Sequence, residues 1–196
     1  MANNNKGDGL QELLGNMEFR KKFLERRKLF FWGVVDEDSA KEIVNQLLYL
    51  EMTDPGKEIT MFINSPGGSV SAGLSIYDTM QMISSPVSTV CLGLAASMGS
   101  VLLAGGENGK RFIFPNAEVM IHQPSLGMPI QDQAANLYIT AEHIKKTKER
   151  LNKILAFHTG QPLEKIEHDV DRDYWMDAKQ SVDYGIVDGI IEKLEL

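Results

Sequence analysis

Two stretches of the chain repeat one order of elements: an apolar strand, a glycine-rich turn and a helix. The first runs from Ile59 to Ile83 through the turn NSPGGSV, and the second runs from Val87 to Ala104 through AASMGS. Strands that alternate with helices in this way are typical of α/β folds. No linker-like segment interrupts the pattern. The sequence therefore predicts a mobile N-terminal segment, residues 1–16, followed by one α/β domain over residues 17–196.

Hydrophobic periodicity and breaking residues place the other elements. A capping box formed by Ser39 and Glu42 predicts the start of a helix before the first repeat. The remaining predicted elements are a basic helix at Met17–Arg27, strands at Leu29–Trp32, RFIF and EVMIH, a long helix from about Ile130 to Phe157, and tail strands at Tyr174–Met176 and Ile186–Val187.

Charge and apolar runs exclude several classes of function. The net charge of −7 argues against a nucleic-acid-binding surface. The N-terminus lacks a signal peptide pattern, which predicts a cytoplasmic location. Cys91 is the only cysteine, so no internal disulfide can form. The uncharged run Cys91–Gly106 contains several Gly and Ser residues and has turn signals on both sides, so it predicts a buried strand and helix rather than a membrane span.

A basic run departs from the acidic average. Residues 19–31, FRKKFLERRKLFF, contain six of the 20 basic residues. The simplest interpretation is a solvated helix face, and the alternative is a surface that docks another protein or a lipid surface.

Ser97 lies where the second repeat turns from strand to helix, in the motif Ala95-x-Ser97-x-Gly99. Small neighbours permit a sharp turn, so the motif is similar to a relaxed nucleophile elbow. A helix that begins here also directs free backbone N–H groups toward atoms bonded to the serine oxygen. The alternative is that Ser97 is a packing position among small residues.

The four histidines differ in their surroundings. His143 and His168 lie in polar helical stretches and are interpreted as surface residues. His158 closes the long helix, where an imidazolium would interact favourably with the helix dipole. Only His122 ends an apolar strand, a rigid position from which a general base can be aimed. The alternative is a strand-end histidine whose ring bonds a backbone carbonyl.

A carboxylate that orients His122 would complete a Ser-His-acid triad. Spacing along the chain does not select among the candidate acids, which are Asp132, Asp171, Asp173, Asp177 and Asp188.

The turn Asn64–Gly68 is the other candidate site element. Its two glycines allow a backbone N–H to approach a ligand closely, as an oxyanion donor or a peptide clamp does. An ordinary tight turn is the alternative. The turn lacks the Lys-Ser/Thr of a phosphate-binding loop, and the chain has no metal-binding motif.

Five stretches together resemble one family. In chain order, FINSPGGSVSAGLSIYDTMQ, CLGLAASMGSVLLAGG, FPNAEVMIHQP, LAFHTGQ and DRDYWMDAKQSVDYGIVDGII are similar to the ClpP family of serine peptidases, over about residues 30–191. The resemblance implies an α/β fold of the ClpP/crotonase type, with repeated ββα units. It also implies a protruding handle of a strand and a long helix, over about residues 123–157.

The resemblance also implies a site. Ser97 matches the family's nucleophile, His122 its general base, and Asp173 the acid of its Arg-Asp pair. The N–H groups of Gly68 and Met98 match the oxyanion hole. The implied subunit needs no cofactor, and it works in two stacked heptameric rings. A hexameric AAA+ unfoldase that uses ATP feeds these rings with unfolded polypeptides.

The N-terminal third departs from the family pattern. The N-terminal region is basic, where the family has a pore-lining loop. Thr60 occupies the position of a docking tyrosine, although Phe62 and Phe112 keep the aromatic character of the docking pocket. These differences suggest a divergent paralogue in a mixed assembly, with a structural or regulatory subunit as the alternative. A crotonase-like acyl-CoA enzyme is a further alternative, because that superfamily shares the glycine-rich turns.

Overall fold

The computed structural model describes residues 17–125 and 131–193 of the chain. Residues 17–25 belong to a helix, α1. The other helices are α2 (Glu37–Thr53), α3 (Val70–Met82), α4 (Met98–Ala104), α5 (Ala134–Thr159), α6 (Leu163–Asp169) and α7 (Ala178–Tyr184). The strands are β1 (Lys28–Trp32), β2 (Ile59–Ser65), β3 (Val87–Ala96), β4 (Arg111–Ile113), β5 (Glu118–Ile121), β6 (Tyr174–Met176) and β7 (Gly189–Ile190).

One mixed sheet contains all of these strands. Its main path is β1-β2-β3-β4-β7, with parallel pairing throughout. The ten-residue strand β3 pairs with β2 along one edge. Along its other edge, its first half pairs with β4 and its second half with β5. β6 then pairs with β5 in antiparallel orientation. The end of β3 therefore lies beside β5 and β6, away from the main path of the sheet.

The two faces of the sheet have different covers. On β1, Leu29 and Phe31 are buried in the main hydrophobic core with the apolar residues of α2, α3 and α4. Phe30 points to the opposite face, where its ring lies 4.9 Å from Phe23 of α1 and 5.0 Å from Phe62 of β2. The first helix therefore covers the outer face of the sheet at its β1 edge.

α4 explains the uncharged run Cys91–Gly106. All seven residues of this helix are buried, which requires small and apolar side chains on every side of it. The run is thus the end of a core strand and a central helix, as the flanking breaks predict. Within the described part of the chain, no helix combines the length and apolarity needed to cross a membrane.

Two sequence predictions of local structure are wrong. The N-cap of α2 is Asp36, which accepts a hydrogen bond from the Ser39 N–H, while the Ser39 hydroxyl bonds the Asp36 N–H. The aspartate directly before the first helical residue is the better acceptor for the free N–H groups. The last strand is Gly189–Ile190 and not Ile186–Val187. Those two residues follow α7 and are apolar because they are buried in the core.

The long helix α5 begins at Ala134 in the described residues, and the predicted start at Ile130 lies outside them. Residues 1–16, predicted to be mobile, also lie outside them. The larger apolar residues of α5 differ in burial along the helix. Leu151 and Leu155 are buried against the core, whereas Leu137 and Tyr138 are exposed at 39% and 69%. The first half of this helix therefore has an apolar surface that no described residue of the same chain covers.

A partly buried ion pair holds the C-terminal end of α5 on the sheet. Arg111 of β4 contacts both carboxylate oxygens of Asp188, at 2.5 and 3.0 Å, and donates to the His158 carbonyl at 2.6 Å. The His158 ring bonds the Tyr77 hydroxyl at 2.8 Å. The pKa of His158 is lowered to about 4, mainly by burial and secondly by the nearby charge of Arg111. His158 is therefore neutral at pH 7, because its ring is desolvated, and the helix dipole has no imidazolium there to interact with.

Candidate active site

Ser97 has a strained backbone at the junction of β3 and α4. Its φ of 54° and ψ of −121° place a non-glycine residue at positive φ, where the cost is on the order of 1–3 kcal/mol. The Ser97 N–H donates to the Met120 carbonyl at 2.8 Å, which ties the turn to β5. The Ser97 side chain makes no capping bond to α4. The hydroxyl is thus presented beside the helix start instead of being used to cap it.

The small residues near Ser97 are required by close backbone contacts. A Cβ added at Gly67 would lie 2.7 Å from the Ala96 carbonyl oxygen and 2.7 Å from the Ser97 Cβ. A Cβ at Gly73 would lie 2.2 Å from the Met98 side chain. The glycine turn after β2 therefore packs directly against the turn that carries Ser97.

His122 reaches Ser97 from the next strand. Met120 of β5 is the register partner of Ala96 of β3, so the ends of the two strands are adjacent. His122 follows the end of β5, and its Nε2 lies 2.9 Å from the Ser97 Oγ. The predicted nucleophile and the predicted base are therefore within hydrogen-bonding distance.

Asp173 reaches the other nitrogen of the same ring. Its Oδ1 lies 3.0 Å from the His122 Nδ1, and its side chain is 60% exposed against 25% for His122. An ionised carboxylate can only accept, so Nδ1 carries the proton and neutral Nε2 is left to accept from the Ser97 hydroxyl. The Ser97 hydroxyl therefore donates to His122 Nε2, and the His122 Nδ1–H donates to Asp173.

The other candidate acids have different partners. Within the described residues, each of them bonds groups outside the Ser97–His122 pair. Asp132 accepts from Gln133 and Asn136, Asp171 from Arg172 and Gln123, Asp177 from Gln180, and Asp188 from Arg111. Only Asp173 contacts His122 among these acids, so the tertiary structure makes the choice that sequence spacing left open.

The two N–H groups that the resemblance assigns to the oxyanion hole, those of Gly68 and Met98, have no protein acceptor in the described chain. Gly68 forms an isolated parallel bridge with Val35, in which the bonds run from Val35 N–H to the Gly67 carbonyl and from Ser69 N–H to the Val35 carbonyl. This pattern leaves the Gly68 N–H unused. The Met98 N–H is the first of α4 and has no earlier carbonyl of that helix to bond. Neither N–H therefore has an acceptor among the described residues, and their role as oxyanion donors stays a prediction.

Most of the chain matches a known family. The family model described as Clp protease matches residues 14–194. The chain belongs to the Clp protease family. The mixed α/β sheet with its surrounding helices is consistent with the fold of that family, and membership supports a ClpP-type serine protease.

A narrow cavity adjoins Ser97 and His122 in this Clp family chain. Among the described residues its lining is mostly apolar and includes no carboxylate, lysine or arginine. Besides Ser97 and His122, it is lined by Val70, Met98, Ser100, Val101, Ile121, Pro124, Leu151, Asn152 and Leu155. Asn152 is 2% exposed and lies on the buried face of α5. The cavity's volume of about 20 Å³ is close to the room that one water molecule needs, so this cavity is not by itself a pocket for a substrate side chain.

The two aromatic residues that the resemblance assigns to unfoldase docking lie in one row across the sheet. Phe62 and Phe112 are both register partners of Val90 in β3. Phe62 is 2% exposed, because Phe30 stacks on it and α1 covers Phe30, whereas Phe112 is half-buried. In this chain the N-terminal helix therefore limits access to Phe62.

The remaining histidines lie outside the site. His143 and His168 are exposed, as predicted. In the residues that the structure describes, no group of His, Cys, Asp or Glu side chains is arranged to hold a metal ion.

Sequence reasoning missed two polar residues near the site. Asn152 has a sequence signal, since it is a polar residue between Leu151 and Leu155 on the apolar face of α5. Gln123, whose amide bonds both Asp171 and Lys148, has none beyond its position after His122. A polar residue that ends a strand is too common to indicate a role.

Proposed function

We propose that the protein is a serine endopeptidase that cleaves unfolded polypeptides through Ser97, His122 and Asp173. The observation that carries the proposal is the continuous hydrogen-bonded chain from the Ser97 Oγ to His122, at 2.9 Å, and from His122 to Asp173, at 3.0 Å. Membership of the Clp protease family supports the same reaction class.

The proposed reaction is acyl transfer. The Ser97 oxygen attacks the peptide carbonyl while His122 Nε2 takes the hydroxyl proton, and the N–H groups of Gly68 and Met98 stabilise the oxyanion. His122 then gives this proton to the leaving amine, and an acyl-enzyme forms on Ser97. Water, deprotonated by His122, attacks the ester, and Ser97 recovers its proton as the carboxylic acid leaves. Asp173 keeps the proton of His122 on Nδ1 and stabilises the imidazolium.

The proposed assembly is the family's double heptameric ring, built from this chain alone or mixed with a paralogue in the cytoplasm. The uncovered Leu137, Tyr138 and Ile139 of α5, exposed at 39%, 69% and 65%, support a role for this part of the predicted handle in subunit contacts. A hexameric AAA+ unfoldase would dock near Phe62 and Phe112 and would supply the ATP-dependent step. The subunit itself is proposed to need no cofactor.

Covalent labelling tests the proposal. An active-site-directed aryl phosphonate should modify Ser97 of the full chain, alone or with the paralogue, and peptide mass mapping should locate the adduct. Ser97→Ala and His122→Ala should both abolish it, whereas Ser71→Ala, at an exposed serine of α3, should label normally. Failure of the folded wild-type chain to label in every assembly state would overturn the proposal.

A structural role in a mixed assembly is the second candidate function. It is favoured by the burial of Phe62, which limits access to a residue assigned to unfoldase docking. In a mixed assembly, Ser97→Ala in this chain should lower peptide hydrolysis by the complex. Unchanged hydrolysis would assign the catalysis to the paralogue.

A further inference from the structure

The pairing of β5 with β6 stops one residue short of the His122–Asp173 contact. The last register pair is Ile121 with Tyr174, so His122 and Asp173 lie just beyond the ladder. The Asp173 side chain is 60% exposed and has little packing to hold it. Some other interaction must keep the segment before β6 against the end of β5.

Gln123 supplies that interaction from both its main chain and its side chain. Its backbone N–H donates to the Val170 carbonyl at 2.7 Å. Its side-chain Nε2 donates to the Asp171 carbonyl at 3.0 Å. These two bonds hold the segment that leads to Asp173 just past the point where the strand pairing ends.

Lys148 of α5 determines which way the Gln123 amide points. The Lys148 Nζ donates to the Gln123 Oε1 at 2.8 Å. An ammonium group can only donate, so the amide oxygen must face Lys148 and the amide nitrogen must face Asp171. The side chain is half-buried, where such bonds are less screened by solvent than on an open surface.

We propose that Gln123 is a positioning residue for Asp173: its amide, oriented by Lys148, holds the Val170–Asp171 segment so that the Asp173 carboxylate stays on His122. This inference rests on the proposed peptidase function. Gln123 does not line the cavity beside Ser97. Its loss should therefore act on the chemical step and leave substrate binding nearly unchanged.

Steady-state peptide hydrolysis by the full assembly tests the inference. Gln123→Leu should lower kcat about 10- to 100-fold, the cost of a misplaced catalytic group, with KM within about twofold. Gln123→Glu can still accept from Lys148 but cannot donate to the Asp171 carbonyl, so it should show the same loss. Lys148→Met should have a smaller effect. Gln161→Leu is the matched control, because the Gln161 amide donates to the Tyr184 carbonyl at 3.0 Å, away from His122.

A double-mutant cycle separates positioning of Asp173 from a general effect on folding. In an Asp173→Asn background, Gln123→Leu should cost little more than about twofold, because the group it positions no longer acts. The same 10- to 100-fold loss in both backgrounds, or an unchanged kcat in Gln123→Leu, would overturn the inference. Absence of both hydrolysis and Ser97 labelling in the wild-type chain would instead overturn the peptidase proposal, and the inference with it.

Discussion

His122 and Asp173 face each other across the end of an antiparallel strand pair. One more step of the β5–β6 register, beyond Ile121 and Tyr174, pairs these two residues, and their Nδ1 and Oδ1 atoms lie 3.0 Å apart. A contact between residues far apart in the chain is thus set by local strand pairing. The nearby Asp171 has its backbone and carboxylate bonded to Gln123 and Arg172 instead.

This relationship predicts a difference between two neighbouring acids. Asp173→Asn should lower kcat for peptide hydrolysis by about 10⁴-fold, because an asparagine no longer holds the proton of His122 on Nδ1. Asp171→Asn should remain within about threefold of the wild type, since surface ion pairs contribute little. Both variants should unfold at similar temperatures. Equal loss of activity in the two would contradict the assignment of Asp173.

The glycine turn near Ser97 predicts a steric effect that a matched glycine lacks. Gly67 and Gly109 have φ values of 91° and 82°, but only an added Cβ at Gly67 meets other atoms within 4 Å. Gly109→Ala should cost about 1 kcal/mol and keep full activity. Gly67→Ala should displace the Ser97 turn and lower kcat at least about 100-fold. Denaturation midpoints and peptide hydrolysis measure the two effects, and equal activity in both variants would refute this account of the turn.

The neutral His158 predicts loss of stability in acid. Its folded pKa of about 4 lies below the ordinary histidine value of 6.5, so between these values the unfolded chain binds more protons than the folded one. The contribution is complete above pH 6.5 and is lost as pH falls toward 4. After allowance for partial solvent exposure, it should amount to about 1–2 kcal/mol.

Thermal unfolding across this pH range measures the effect. His158→Gln keeps a polar group near Tyr77 but cannot titrate, so its stability should fall less steeply with acid than that of the wild type. Parallel pH dependence in the two proteins would exclude His158 as the cause.

The basic run near the N-terminus predicts two kinds of variant. Arg27 lies in the turn after α1 at a positive φ of 58° and donates to the carbonyls of Leu50, Lys57 and Glu58 and to the Ser85 hydroxyl. Arg27→Met leaves these acceptors without their donor and should lower the free energy of unfolding by about 2–3 kcal/mol. Among the described residues, Lys22 pairs with Glu18 alone, at the surface, so Lys22→Gln should change the free energy of unfolding by less than about 0.5 kcal/mol.

Unfoldase-dependent degradation separates docking from folding in the same run. Neutralising Lys21 and Lys22 should weaken unfoldase-dependent degradation while small-peptide cleavage stays unchanged, if this face docks an acidic partner. Equal loss of both activities would indicate a folding defect instead. Arg27 no longer belongs among the docking candidates, because the structure uses its guanidinium inside the chain.

The sequence by itself determined the α/β class, the two strand–turn–helix repeats and the positions of Ser97 and His122 at their turns. These follow from hydrophobic periodicity and glycine placement, which act over a few residues. The errors in the predictions from sequence were also local. The capping box of α2 and the last strand were misplaced by a few residues, because several polar or apolar neighbours satisfied the same pattern.

Only the tertiary structure decided how the acid meets His122 and what supports it. Spacing left five acids open, and the resemblance alone pointed to Asp173. Asp173 is chosen by the antiparallel register of β5 and β6, and Gln123 joins that segment to Lys148 of α5. The neutral state of His158 likewise depends on burial among distant residues. Strand register and desolvation arise when separate elements pack together, and neither leaves a periodic mark in the sequence.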